Sequence, residues 1–177
     1  MPGHSVLQFP VAELEPVVRA RHEHYDADYV SADPAFTHAH ITALGPFLTP
    51  DEMTRHNLDL VASVVALTTP FAFTLERVGV FPNGIVHLLP EPAAPFRRVT
   101  DQLCAAFPDK PPYAAQFPAV TAHLTLDAVS ATVSLVSTRR LLGGLVPARC
   151  RADRLDLAWY EPGNCHLVTS WRLGAPG

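Results

Sequence analysis

The sequence is short of charge. Asp, Glu, Lys and Arg make up 17% of its 177 residues, against the ~25% usual in soluble domains. With a mean hydropathy of +0.13, this excludes a disordered chain, which needs the opposite balance. Lysine is nearly missing. Lys110 stands alone among 13 basic residues; the rest are Arg, which suits bidentate phosphate or carboxylate contacts and equally reflects codon composition. The net charge of -4 argues against a general nucleic-acid coat protein, which needs many cations to displace counterions. Cysteine is sparse and unpatterned. Cys104, Cys150 and Cys165 are odd in number and lack C-x-x-C spacing, so neither a disulfide framework nor a zinc ribbon is indicated. No apolar run reaches the ~18–20 residues of a membrane span. The first residues lack the basic-then-apolar layout of a signal peptide. The expectation is a soluble, cytoplasmic protein with no membrane contact and no stable protein partner.

What is present is apolar material, 48% of the chain, enough for one domain or two closely packed lobes. Ser5 to Phe9 reads as a strand and Val11 to His24 as a helix, with Val11, Leu14, Val17 and Val18 at helical spacing. Tyr25 to Thr37 reads as a loop and Ala39 to Leu44 as a strand. Thr49-Pro50-Asp51-Glu52 opens a helix that runs to Leu67, with Thr49 as N-cap. Phe71 to Val80 and Ile85 to Leu89 flank Asn83-Gly84, the strongest short hairpin signal. A helix follows from Ala94 to Phe107, then a loop rich in proline (Pro108, Pro111, Pro112, Pro118). Ala122 to Leu126 is a strand, and Ser130 to Leu142 a helix ending at Gly143-Gly144. Arg149 to Tyr160 and Asn164 to Leu173 form a last strand pair.

The order repeats: a strand carrying H-x-T, a helix, a hairpin. The first pass starts at His40 and the second at His123, 83 residues later. The expected fold is α+β and duplicated. It is bilobal, with two antiparallel sheets and outer helices around a central cleft that carries both motifs. Residues 1–177 form a single domain of two pseudo-symmetric lobes.

His40-Ile41-Thr42 and His123-Leu124-Thr125 each place an imidazole and a hydroxyl on one strand face, with Ile41 or Leu124 turned into the core. One H-x-T is commonplace as a satisfied polar pair on an apolar strand; two in matched settings are not. Opposed across a cleft, one neutral imidazole accepts a proton from an attacking oxygen and one charged imidazole gives a proton to a leaving oxygen. Thr42 and Thr125 hydrogen-bond the phosphoryl oxygens between them.

These residues carry a resemblance. His38 to Phe47 (H-A-H-I-T-A-L-G-P-F), Ala122 to Asp127 (A-H-L-T-L-D) and the terminal L-V-T-S-W-R-L resemble the 2H phosphoesterase superfamily. That group contains the bacterial RNA 2',3'-cyclic phosphodiesterases often named 2'-5' RNA ligases. The resemblance spans nearly the whole chain. It implies His40 and His123 as the acid–base pair and Thr42 and Thr125 as phosphate ligands. It also implies opening of a 2',3'-cyclic phosphate to a 2'-phosphate, with no metal and no cofactor. Which histidine is acid stays open, as do two alternatives: a non-catalytic nucleotide-binding module, and 2'-5' RNA end joining. The chain departs from several RNA-processing members in having Asp127-Ala128-Val129, with no basic residue, after the second motif. With the acidic net charge, this favours a nucleotide or a short RNA end as partner.

Phe9, Phe47 and Tyr160 are candidates to stack on a base, each with core as the equal alternative. His38 shares a strand face with His40 and is expected to flank the cleft. His22 and His24 lack the convergent third ligand a metal needs and are assigned to solvent or loop roles. His87 and His166, each following a hairpin turn, are expected to be structural. Arg77 and Arg154 are read as solvated strand residues, and Arg97-Arg98 and Arg139-Arg140 as charged outer helix faces.

Overall fold

A computed structural model describes residues 3–112 and 120–175; the end of the proline-rich stretch, including Pro118, lies outside the described residues. Eight strands follow the hydrophobic alternation. They are β1 (His4–Pro10), β2 (His40–Leu44), β3 (Phe71–Val80), β4 (Ile85–Glu91), β5 (Leu124–Ala128), β6 (Ala148–Ala152), β7 (Arg154–Tyr160) and β8 (His166–Arg172). The helices are α1 (Glu15–Tyr25), α2 (Arg55–Ala66), α3 (Ala94–Ala106) and α4 (Leu135–Leu142). The α+β class is as expected; the two sheets are not. The strands join in one curled antiparallel sheet in the order β6-β3-β4-β5-β2-β1-β7-β8.

The reason lies at the centre. β2 and β5 meet through the single residue pair Ile41–Leu124, which merges two four-stranded halves without a full ladder. Nor do the halves follow the repeat in the sequence. The hairpin β3–β4, which follows the first motif along the chain, lies beside the second motif's strand. The hairpin β7–β8, which follows the second motif, pairs through β1 with the first. Residues 71–152 supply one half as an unbroken stretch, set between the pieces of the other.

Two expected elements divide. Arg149 to Tyr160 is two strands, because the chain crosses at Asp153 from the sheet edge beside β3 to the ladder beside β1. Thr49 to Leu67 is a short 3-10 turn over Pro50–Glu52 and a separate α2. Thr49 and Glu52 close a capping box on the turn, so Thr54 caps the helix proper by accepting from Asn57 N. Likewise Ser134, rather than Ser130, starts α4, with its hydroxyl accepting from Ser137 N. The three cysteines are free thiols.

One face of the sheet packs on the helices. Ile41, Ala43, Leu75, Val86, Leu88, Leu124, Leu155 and Leu157 belong to one buried cluster with Val61 of α2 and Phe96, Val99 and Leu103 of α3. Burying a side chain of this kind contributes ~1.5–3 kcal/mol. The Thr100 hydroxyl donates to Ala43 O at 2.9 Å, tying α3 directly behind the first motif. With Ile41 and Leu124 held in this core at 0% exposure, the residues on either side of them face the other way.

Candidate active site

The antiparallel register at Ile41–Leu124, continued one residue each way, sets His40 beside Thr125 and Thr42 beside His123. Facing residues of neighbouring strands have Cβ atoms ~4.5–5.5 Å apart. The four residues of the two motifs therefore share one patch of the outward face. All four are half-buried.

Each imidazole is fixed in the same way. His40 Nδ1 donates to His38 O at 2.8 Å, and His123 Nδ1 donates to Thr121 O at 2.7 Å. A carbonyl only accepts, so the proton stays on Nδ1 and each Nε2 is the atom free for exchange. Burial pushes His40 from 6.5 down to about 4, and the nearby imidazoles of His22 and His123 lower it further against the pull of the His38 carbonyl. Burial lowers His123 as well, and His87 adds to the effect. Of the two, His123 is the easier to protonate.

The surroundings of His40 come from α1 and the loop that follows it. Glu15 accepts from His38 Nδ1 and from Ala39 N, both at 2.7 Å, and Ser31 N donates to His38 Nε2 at 3.0 Å. His38 is thus a buried tie, 3% exposed, and does not flank the cleft as expected. Its bonds hold the carbonyl that orients His40. His22, assigned to a solvent or loop role, instead lies half-buried on α1 with its ring centroid 5.7 Å from that of His38.

The expected stacking residues separate. Tyr160 lies at the site. Its hydroxyl donates to Gln8 Oε1 at 2.6 Å, and its oxygen is 3.3 Å from His40 Nδ1. Together with His4, Val6, His40, Thr42, Gly45 and Pro46 it lines a cavity of about 260 Å³. Phe9 does not reach it. It pairs with Ile41, on the core face, at 0% exposure, edge-on to Phe71 and Phe96. Phe47 is also core, 4% exposed and edge-on to Phe107.

Beyond His123 the wall is aromatic. Phe81 stacks on His87 with centroids 3.7 Å apart, and both rings stand edge-on to His123. Sequence reasoning left His87 structural and did not single out Phe81. The matched placement of His87 and His166 was the available signal, and only His87 is buried. Gln8, His4 and Val6 were also missed; period-two alternation along β1 puts them on the face opposite Phe9. Among the described residues no group of three His, Cys, Asp or Glu side chains is placed to hold a metal. Arg77 pairs with Glu91 and Arg154 with Asp156.

A sheet of this order, with two His-and-Thr strands abutting at its centre, defines a class that the comparisons identify. The family model for the 2'-5' RNA ligase superfamily matches residues 9–164. The chain belongs to that superfamily, the 2H phosphoesterases, enzymes that act on phosphodiester bonds. A search of curated proteins finds no significant match. Among solved structures, TT0787 of Thermus thermophilus has 18% identity and a TM-score of 0.66, over 98% of this chain and 100% of that one. E. coli LigT complexed with 3'-AMP has 15% identity and a TM-score of 0.57, over 98% and 99%. LigT complexed with NADP+ has 15% and 0.56, over 97% and 98%. At these identities the likeness speaks for the fold. No described helix is long and apolar enough to cross a membrane.

Proposed function

We propose that the protein is a phosphodiesterase that opens 2',3'-cyclic phosphates at the ends of nucleotides or RNA, using His40 as base and His123 as acid, without a metal. One observation carries the reading: the two motif strands abut at Ile41–Leu124, and both motif histidines tie Nδ1 to a backbone carbonyl, which leaves Nε2 as the exchangeable atom of each. The complexes of E. coli LigT with 3'-AMP and with phosphate are compatible with it.

Neutral His40 Nε2 takes a proton from water as the water oxygen bonds to phosphorus. The bond from phosphorus to the 3' oxygen breaks, and His123 Nε2–H gives that oxygen its proton. The products are a 2'-phosphate and a 3'-hydroxyl. The ring with the low value near 4 is the one reliably neutral, which suits the base. The incoming phosphate anion raises the affinity of His123 for its proton, which suits the acid. Thr42 and Thr125 hydroxyls donate to the non-bridging oxygens, where charge redistributes. Tyr160 and His4 wall the cavity that receives the base.

The test is hydrolysis of 2',3'-cyclic nucleotides. His40→Ala and His123→Ala each abolish it, and EDTA leaves it intact; full activity in either variant overturns the assignment. The pH profile of kcat/KM is a bell, rising through about 4 as His40 loses its proton and falling below 6.5 as His123 loses its own. End joining, which the superfamily's name denotes, is read on a gel from RNA fragments bearing a cyclic phosphate and a 5'-hydroxyl.

A further inference from the structure

The acidic net charge conceals an uneven distribution. Residues 71–152 hold eight of the 13 basic residues and five of the 17 acidic ones, so this half is positive while the remainder is strongly negative. The strand registers show where part of that charge is displayed. On β3 and β6, Phe73 and Leu75 face the core with Ala148 and Cys150. Thr74 therefore pairs with Arg149, and Ala72 with Arg151, on the opposite face. On that face Arg77 pairs with Leu89, and Gly79 with His87, which pairs in turn with Thr125. Arg77, Arg149 and Arg151 are thus on the same side of the sheet as the two H-x-T motifs, and all three are exposed.

Their spacing and freedom suit a chain of phosphates. β6 lies three strands from β5, about 14 Å across the sheet at ~4.8 Å per strand. Arg149 and Arg151 stand two residues apart on the edge strand. Neither has an acidic partner within ion-pair distance among the described residues. Arg77 is held only by an exposed contact with Glu91 at 3.5 Å, the kind that contributes ~0–1 kcal/mol and exchanges readily.

We infer that the open face of β4, β3 and β6 binds the RNA strand leading up to the terminal cyclic phosphate, with Arg77, Arg149 and Arg151 contacting its phosphates. This rests on the reading of the cleft given above and extends it from a mononucleotide to an RNA end several nucleotides long. Within the expectation of a nucleotide or a short RNA end, drawn from net charge, it favours the RNA. On the other half, the corresponding face of β7 is covered where Ala158 and Tyr160 pack against Phe36, and farther along it Arg154, beside Arg172, is held by Asp156.

The experiment compares a 2',3'-cyclic mononucleotide with an eight-nucleotide RNA ending in a 2',3'-cyclic phosphate. The double variant Arg149→Gln/Arg151→Gln is set beside Arg97→Gln/Arg98→Gln, an equal charge change on α3 behind the core face. The β6 variant is expected to keep wild-type kcat/KM on the mononucleotide and to lose about tenfold on the octamer. The slope of log affinity against log salt for the octamer falls by about 1.4, two single-strand contacts' worth. The α3 variant matches wild type on both substrates. Equal loss on both substrates, equal loss in both variants, or no loss on the octamer overturns the proposal. Fluorescence anisotropy with the same octamer bearing a 3'-phosphate reads the surface without turnover. Absence of cyclic phosphate hydrolysis would therefore defeat the catalytic reading and leave the RNA face independently tested.

Discussion

Protonation of His40 couples the candidate active site to the stability of the whole protein. An unfolded chain binds this proton with the ordinary value of 6.5, and the folded chain with one of about 4. The folded state is the weaker proton binder, so the stability His40 contributes is whole above 6.5 and is lost as pH falls toward 4. Each tenfold difference in proton affinity is worth about 1.4 kcal/mol. At pH 5 the loss from His40 alone comes to about 2 kcal/mol, and below pH 4 it approaches about 3 kcal/mol. Urea unfolding at pH 8 and pH 5 measures it, with wild type compared to His40→Gln. The wild-type loss between the two pH values is expected to exceed the variant's by about 2 kcal/mol. Equal losses, or a His40 ring that titrates near 6.5 by NMR, would refute the account of a buried, neutral base.

Three further substitutions probe the supports of the cleft. Tyr160→Phe removes the donor to Gln8 Oε1, a side chain 1% exposed; a loss of about 1–2 kcal/mol and a raised KM are expected in thermal melts and kinetics. Asp127→Asn breaks the ion pair with Arg21 that ties α1 to β5, where the side chains are 5% and 21% exposed; urea unfolding is expected to show a loss of about 3 kcal/mol. Gly79→Ala places a Cβ 2.8 Å from His87 Nε2, forcing that ring off Phe81; a loss of about 1–3 kcal/mol with a lower kcat is expected. Unchanged kinetics in this last variant would show that the Phe81–His87 stack does not hold His123.

Much of this was legible in the residues. The alternation of β1 and β2, the Asn83-Gly84 hairpin and the helix from Ala94 declare themselves through local periodicity and turn chemistry. The paired H-x-T motifs mark the two strands that abut at Ile41–Leu124. Other features have no local signal. A single bridge such as Ile41–Leu124 leaves no trace in composition, so one sheet reads as two. A crossing made at one residue, Asp153, hides inside an unbroken apolar run, so β6 and β7 read as one strand. Phe9 was misplaced for a different reason. Strand parity alone sets it opposite Gln8, and its partner Ile41 was already a core residue, so its distance from the cleft was readable once β1 was paired with β2. The contrast between residues 71–152 and the rest was hidden because a single sum averages a positive half with a negative one.

The interruption of one half by the other bears on how the protein is made. Residues 71–152 can complete their ladders within themselves, between strands close in sequence. The half that holds His40 cannot. β1 pairs on its outer side with β7, and the register joins His4 to Tyr160 across most of the chain. Closing so long a loop is entropically unfavourable and slow. On a chain emerging from the ribosome, β3 to β6 can pair before β7 and β8 exist, while β1 still lacks its outer partner. Tyr160 and Gln8 meet only at that final closure. A chain cut short before the last strands carries both motifs but lacks Tyr160, and with it one wall of the cavity beside His40.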